Sequence, residues 1–247
     1  MTVPTRPRTE WAWRGGPTFT APDGSRLQLE QPWLDSSQPW SATFAVRTGG
    51  GRYGLTVAEV GAFDWHVTYP MAGAEVTSSR YAAGGDVLLA SRREPPDYRA
   101  AWRGRWFELH HRPAGPVPAA AGIPRVFEAL RFTDTPEGML VWPRGAARVS
   151  FEPFRIAKQL PGLGQLRIER PGGASVAVPR FRGHRGRHGE IWRWPLEGGA
   201  SGRARDESLL LATPTAVVQL VPGPRDTPDG DTALAFLEQL AVTWEPS

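Results

Sequence analysis

The stretch Thr232-Ala-Leu-Ala-Phe-Leu-Glu-Gln-Leu-Ala-Val-Thr-Trp-Glu-Pro246 decides the fold that we expect for this chain. Its first part carries apolar residues at helical spacing: Ala233, Phe236, Leu237 and Leu240. From Leu240 the apolar residues alternate through Val242 to Trp244, which is typical of a strand. The pattern therefore predicts a short amphipathic helix that runs directly into a closing strand.

A similar segment occurs earlier in the chain, at Arg125-Val-Phe-Glu-Ala-Leu-Arg-Phe-Thr-Asp-Thr-Pro136. The likeness extends upstream, because Trp106-Phe-Glu-Leu109 and Val217-Val-Gln-Leu220 are each followed by a proline-rich loop. The sequence thus predicts the order strand, loop, helix and strand, used twice. We expect an α+β, β-rich fold of two duplicated lobes of mostly antiparallel sheet, each with a late helix.

The predicted division gives three parts. Residues 1–10 form a polar arm broken by prolines, 11–135 the first lobe and 136–247 the second lobe. The chain holds 28 glycines and 25 prolines among 247 residues without a collagen-like repeat, which favours many short strands joined by turns. Predicted strands that bear on the site include 65–69, 102–110, 175–182 and 190–196.

The amino-acid composition of the chain excludes several kinds of chemistry and of cellular location. The chain has no cysteine, so disulfides and thiol chemistry are excluded. No apolar run is long enough for a membrane span, and the first residues lack the apolar core of a secretion signal, so we expect a cytoplasmic protein. Lys158 is the only lysine among 29 basic residues, and this preference for arginine indicates a GC-rich, bacterial genome.

A family resemblance concerns the two helix–strand segments. The Phe-Leu-Glu-Gln-Leu helix (236–240) that passes into a closing strand resembles the C-terminal ends of the PsbP/Mog1-like α/β-sandwich proteins. The likeness covers roughly fifteen residues of each lobe. It implies a binding or assembly role, because that group consists mainly of accessory and adaptor proteins. It assigns no functional residue.

The most unusual composition lies in residues 180–194, where arginines alternate with aromatic rings. We name as candidate binding residues in this segment Arg180, Arg182, His184, Arg185, Arg187, His188 and Arg193. Guanidinium groups beside stacking rings are the ingredients of a nucleic-acid interface. The alternative is a hairpin whose tryptophans are buried and whose arginines keep a loop soluble. A second cluster at residues 99–106 adds Arg103 and Arg105.

Histidines offer two further candidates. His184, His188 and Glu190 are residue types that bind zinc, although two glycines argue against a helix that would bring the two histidines together. Asp64 and His66 would share one face of a strand and could form an oriented general base. No activated nucleophile accompanies them, so a structural pair is the favoured interpretation.

The segment Gly49-Gly-Gly-Arg-Tyr-Gly54 matches the glycine pattern of dinucleotide-binding loops. The residues that follow predict a strand rather than the required helix, so we interpret the segment as a hairpin loop. Four tryptophans lie in less periodic surroundings and are our candidates for an exposed partner surface: Trp11, Trp13, Trp33 and Trp40. Apolar strand positions predict instead that Trp142, Trp192 and Trp244 are buried.

The favoured function from the sequence is a non-enzymatic binding or assembly protein that contacts a protein partner, or itself, through Arg/Trp-rich loops. Nucleic-acid binding by residues 180–194 and 99–106 is the first alternative, and an enzyme of unknown class is the second. The sequence indicates no cofactor, no metal and no small-molecule substrate.

Overall fold

The computed structural model describes residues 18–31, 39–48, 51–80, 85–93, 97–111, 124–145, 147–174, 176–195, 207–222 and 230–247. The strands of the first sequence half are β1 (Thr18–Thr20), β2 (Arg26–Glu30), β3 (Trp40–Thr48), β4 (Gly51–Glu59), β5 (Glu75–Arg80), β6 (Asp86–Arg92), β7 (Asp97–Arg103), β8 (Phe107–His111) and β9 (Leu130–Thr135). Those of the second are β10 (Gly138–Pro143), β11 (Arg148–Leu160), β12 (Gly164–Glu169), β13 (His184–Arg185), β14 (Glu190–Pro195), β15 (Glu207–Ala212), β16 (Val217–Val221) and β17 (Ala241–Glu245). The helices are α1 (Ala62–Thr68), α2 (Pro124–Glu128) and α3 (Gly230–Gln239), and Pro171–Gly173 forms a 3-10 turn.

Most strands belong to one twelve-stranded sheet, with the order β13-β14-β15-β16-β12-β11-β3-β4-β8-β7-β6-β5. Every pairing in it is antiparallel. At its centre β3 pairs with β11, so strands from both sequence halves form a continuous sheet. The strand-rich, mostly antiparallel α+β character predicted from the sequence is confirmed.

The second sheet has five strands, in the order β17-β2-β1-β10-β9. Its one parallel junction joins β1 to β10, where Thr20 lies opposite Gly138. The boundary predicted after residue 135 falls at the end of β9, directly before the two-residue turn to β10, and β9 and β10 pair with each other. The two sequence halves therefore share both sheets.

The two helix–strand segments have the predicted conformation. Helix α2 leads into β9, and helix α3 leads into β17. Both closing strands occupy edges of the five-stranded sheet. Phe127 and Leu130 from the first segment and Phe236 and Leu240 from the second are at most 1% exposed, which places both segments in the main core.

The main core also contains Trp40, which corrects the prediction that this residue belongs to an exposed patch. Trp40 is fully buried and stacks on Phe19 at 5.4 Å between ring centroids. Its place at the start of β3 in the central strand pair explains the burial. Trp142, predicted to be buried, is 45% exposed on β10. Trp11, Trp13 and Trp33 lie outside the described residues, as does the predicted arm 1–10.

The strand predicted at residues 65–69 is wrong, because this segment belongs to helix α1. Phe63 is 1% exposed and packs with Met71 and Leu88, and Val67 lies one turn further on against the same small cluster. The burial period is thus that of a helix, and Gly61, with φ of 94°, supplies the left-handed residue that precedes it. Tertiary packing outweighs the β-propensity of the aromatic and β-branched residues here.

The single strand predicted at residues 102–110 is also wrong, because the chain turns at Gly104 and forms the β7–β8 hairpin. The Asp134 carboxylate accepts hydrogen bonds from the backbone N–H groups of Trp106, at 2.7 Å, and Phe107, at 3.1 Å. A Cβ at Gly104 would lie 2.3 Å from an Asp134 oxygen. A residue distant in sequence therefore stabilises this turn, which local alternation does not reveal.

No helix in the described part of the chain has the length and apolar character needed to span a membrane.

Candidate binding surface

The segment with the most unusual composition forms an arm along one edge of the twelve-stranded sheet. We call residues 180–189 the arginine arm. The strand predicted at 175–182 is wrong, since residues 176–183 contain no strand. Only β13 pairs with β14, through His184 opposite Ile191 and Arg185 opposite Glu190.

Trp192 explains why the arm approaches the sheet without forming a long strand. Its indole Nε1 donates a hydrogen bond of 2.9 Å to the backbone oxygen of Phe181. Gly183 lies against the same indole so closely that a Cβ there would be 2.6 Å from the ring. The Gly183 N–H also donates to Glu190 Oε2 at 3.3 Å. The Trp192 side chain thus holds residues 181–183 beside the sheet without backbone pairing.

Helix α3 anchors the other end of the arm. His184 Nε2 lies 2.5 Å from Glu238 Oε1, and the backbone N–H of Arg187 donates to the backbone oxygen of Glu238 at 3.2 Å. Between these contacts the arm closes a turn in which Gly186 N–H donates to the Gly189 oxygen at 2.9 Å. The arm is therefore attached to both the sheet and the helix.

The predicted arginines of the arm lie on its outer side. Four of them are exposed: Arg180, Arg182, Arg185 and Arg187. None of these four guanidinium groups forms an ion pair or a side-chain hydrogen bond with any described residue. Phe181 among them is 69% exposed. Arg193 on β14 is also exposed and lies 3.7 Å from Glu207.

The histidines of the arm do not converge as a metal site would require. His184 is turned toward Glu238, and His188 is half-buried near the opposite end of the arm's turn. Within the described ranges, no group of three His, Asp or Glu side chains is arranged to hold a metal ion.

The second predicted cluster lies elsewhere and has a different role. Strands β7 and β14 are separated by seven strands of the sheet, so Arg103 and Arg105 do not join the arm. Arg103 contacts Glu108 at 2.5 Å and Asp64 at 2.9 Å. Burial alone would lower the pKa of Arg103, but these two carboxylates outweigh it and raise that pKa. The Arg105 guanidinium lies 5.2 Å from the centre of the Trp106 ring.

Glu108, which sequence reasoning missed, is the centre of a buried polar network below helix α1. Its carboxylate accepts hydrogen bonds from the backbone N–H groups of Gly61, at 3.0 Å, and Phe63, at 2.8 Å. His110 Nε2 lies 3.1 Å from Glu108 Oε2. Burial alone would raise the pKa of Glu108, but His110, Arg103 and the Gly61 N–H hold it at about 2. The sequence signal for this network was the alternation of ionisable residues, Glu108 and His110, with the apolar residues Phe107 and Leu109.

This network does not form the oriented base predicted from Asp64 and His66. Residues two apart on a helix project in different directions, and Asp64 pairs with Arg103 instead. A carboxylate that is fully buried and has a pKa of about 2 stays ionised at neutral pH and does not accept a proton there. Its chemistry is that of an anchor: it fixes the start of helix α1 to strand β8.

The glycine pattern at residues 49–54 does not lead into a helix. Gly49 and Gly50 lie outside the described residues, and strand β4 begins at Gly51. The dinucleotide-binding mechanism requires a helix N-terminus at that point.

Comparison of the chain with models of known protein families, with curated protein sequences and with solved structures gives no significant match.

Proposed function

We propose that this protein is a non-enzymatic cytoplasmic binding or assembly protein whose arginine arm contacts an acidic surface of a protein partner. The observation that carries the proposal is the set of four exposed guanidinium groups that have no acidic partner among the described residues, on an arm anchored to both the sheet and helix α3. Arginine offers forked donors that match carboxylates, and it is enriched in the energetically dominant parts of interfaces.

The anchoring of the arm supports this role energetically. Ordering a loop on binding costs free energy, so a segment already held in place retains more of the energy of its contacts. The Trp192 hydrogen bond and the Glu238 contacts supply this order before any partner arrives. Phe181, 69% exposed between two arginines, adds an apolar contact of the kind that interfaces bury.

Nucleic-acid binding is the second candidate, and the same four exposed guanidinium groups favour it. Such binding also uses exposed rings on which bases stack. Trp102 is 3% exposed, Trp192 is 7% exposed, and Trp106 and Trp194 are half-buried, so none of the tryptophans of the two predicted clusters is a fully exposed stacking ring. Phe181 is the one strongly exposed ring of the described arm. A protein partner is therefore the better-supported candidate.

We also propose that the fold arose by internal duplication. Outward from the central pair, one half of the large sheet reads β3-β4-β8-β7-β6-β5 and the other reads β11-β12-β16-β15-β14-β13. In each half, the first and second strands of that half lie innermost, and the next four follow outward in reverse chain order. The closing strands β9 and β17 occupy equivalent edges of the smaller sheet. This strand order supports a duplicated sequence whose two halves form one continuous fold. The resemblance of the two helix–strand segments to PsbP/Mog1-like proteins is consistent with an assembly role.

A binding titration with defined probes tests the proposed function. The probes are a fluorescent Asp/Glu-rich peptide that contains one tyrosine, a single-stranded oligonucleotide and a duplex. We expect peptide binding at low salt that weakens at least tenfold in the variant Arg182→Ala/Arg185→Ala/Arg187→Ala. The matched control removes three exposed arginines elsewhere, Arg26→Ala/Arg131→Ala/Arg148→Ala, and should bind as the parent does.

The outcomes separate the two candidates. Tighter binding of an oligonucleotide than of the peptide, with a steep salt dependence that the arm variant removes, would replace the protein partner by nucleic acid. Equal losses in the arm variant and the control would show a general charge effect and contradict a site on the arm. Absence of binding to every probe at low salt would refute both candidates.

A further inference from the structure

A cleft of about 560 Å³ opens beside strand β11. Binding sites for small molecules have volumes of roughly 300–1,000 Å³. The residues that line the cleft are Ser150, Phe151, Phe154, Arg170, Gly172 and Gly173. None of them belongs to the arm, so the cleft is a separate feature of the surface.

An irregularity in β11 forms the aromatic wall of the cleft. Strand β11 pairs with β3 at Ser150 and again at Arg155, but their partners Ala45 and Thr43 are only two residues apart. The extra residues of β11 leave the ladder here, as in a β-bulge, and bulges often redirect side chains toward a site. Phe151 and Phe154 both come from this part of the strand.

Packing fixes the two rings before any ligand arrives. Phe151 and Phe154 meet edge to face, with 5.3 Å between ring centroids. Phe154 meets Trp244 in the same manner at 5.7 Å, and Phe44 packs on Phe151 at 5.3 Å. Phe154 is 4% exposed, whereas Phe151 is half-buried and presents part of its ring to the cleft.

Arg170 provides an oriented polar group at the same place. Its Nη2 forms a short hydrogen bond with Asp23 Oδ2, and its guanidinium lies 5.3 Å from the centre of the Trp244 ring. Asp23 is held in turn by the N–H of Ser25, at 3.0 Å, and by the Ser25 hydroxyl, at 2.6 Å. The Arg170 side chain is 40% exposed, and its Nε and Nη1 donate to no described residue.

Two glycines keep the cleft open. A Cβ at Gly172 or Gly173 would meet no atom within 4 Å, and neither residue has a positive φ. The backbone of the 3-10 turn therefore does not require glycine at these positions. What the glycines provide is the space that side chains would otherwise fill.

We propose that this cleft binds a small planar aromatic carboxylate. The ring of the ligand packs against Phe151 and Phe154, and its carboxylate accepts a hydrogen bond from the part of the Arg170 guanidinium that does not face Asp23. A hydrogen bond from a guanidinium to a carboxylate is charge-assisted and stronger than one between neutral groups, and Asp23 and Trp244 fix the position of this guanidinium. The ring wall and the guanidinium lie on one cleft, so a single small molecule reaches both.

The test uses 2-naphthoate as the probe, in isothermal titration calorimetry with the full chain. We expect saturable binding of one molecule per chain. The variant Gly172→Leu should weaken it at least tenfold, because the new side chain fills the cleft while its Cβ meets no other atom. The control is Gly54→Leu, at an exposed glycine where a Cβ likewise meets open space. This control should bind as the parent does.

Two further measurements test whether the carboxylate is required and whether the probe binds in the cleft. The neutral probe 2-naphthalenemethanol should bind at least fivefold more weakly, and equal affinity would overturn the carboxylate assignment. Addition of 2-naphthoate should shift the backbone amide resonances of Gly172 and Gly173, and shifts confined to other regions would overturn the location. Failure to saturate at millimolar probe, or equal binding by Gly172→Leu, would overturn the proposal as a whole. None of these outcomes depends on the arm.

Discussion

His184 Nε2 lies 2.5 Å from Glu238 Oε1, and this contact joins the arginine arm to the last turn of helix α3. The two side chains are 52% and 38% exposed, so water competes for their hydrogen bond. Exposed pairs of this kind contribute roughly 0.2–1 kcal/mol to stability. The contact therefore matters for the position of the arm more than for the stability of the fold.

We expect the variant Glu238→Ala to loosen the arm without unfolding the protein. Amides of residues 182–188 should exchange with deuterium several-fold faster. The free energy of unfolding in urea should change by no more than about 1 kcal/mol. Hydrogen-exchange mass spectrometry measures the first effect and equilibrium unfolding the second. Glu245→Ala removes an exposed glutamate from β17 and serves as the control. Unchanged exchange in the arm would show that the contact between the His184 and Glu238 side chains does not position it.

The Glu108 carboxylate predicts a specific loss of stability on substitution. Because it is fully buried and holds Gly61, Phe63 and Arg103, its removal leaves donors without an acceptor. Removing one partner of a buried charge pair costs roughly 3–5 kcal/mol. We expect Glu108→Gln to lower the free energy of unfolding by about 3 kcal/mol in urea titrations. Glu137→Gln, an exposed glutamate in the β9–β10 turn, should have almost no effect.

The same residue predicts the acid sensitivity of the fold. Its pKa falls from an ordinary value of 4.5 to about 2 in the folded protein. A lowered folded-state pKa means that its stabilisation is complete above pH 4.5 and is lost as the pH falls toward 2. Urea unfolding between pH 5 and pH 2 should therefore show a steeper decline for the parent than for Glu108→Gln. Parallel declines would contradict the assignment of this carboxylate.

Local alternation was sufficient to predict much of the fold. The helix–strand segments at 125–134 and 233–244 bury their apolar residues in the main core, and their sequence period shows it. The pair Asp23-Gly24 is a strong sequence signal for a hairpin turn, and β1 and β2, which flank it, pair antiparallel. These elements follow from contacts between residues near each other in the chain.

Features that depend on distant contacts were not predictable in this way. Helix α1 exists because Phe63 and Val67 pack on a small cluster, and the β7–β8 turn depends on Asp134. For the candidate site, the sequence located the arginines of residues 180–189 but not their anchors. Glu238 approaches from α3, which lies about fifty residues further along the chain. The cleft was missed altogether because Arg170, Asp23 and Trp244 come from three separate segments.

Gly138 lies where the smaller sheet joins its two parts, strands β17-β2-β1 and strands β10-β9. It lies opposite Thr20 at the parallel junction of β1 and β10, and a Cβ there would be 1.9 Å from the Thr20 oxygen. We expect Gly138→Ala to lower the free energy of unfolding by about 1–3 kcal/mol, the usual cost of overpacking. Gly54→Ala, where a Cβ meets no atom within 4 Å, is the control for the change of residue type. Equal stabilities in urea would show that the junction opens at little cost.

Lys158 provides a chemical test of the central strand pair. The residue lies opposite Trp40 where β11 pairs with β3, is 1% exposed, and its Nζ lies 4.8 Å from the centre of the indole ring. Because acylating reagents need an accessible, neutral amine, we expect Lys158 to resist an N-hydroxysuccinimide ester in the folded protein and to react once urea unfolds it. Mass spectrometry of the peptide that contains Lys158 measures the modified fraction. Since Lys158 is the only lysine, no other ε-amine complicates the result. Modification in the folded state as fast as in urea would contradict the burial of this strand pair.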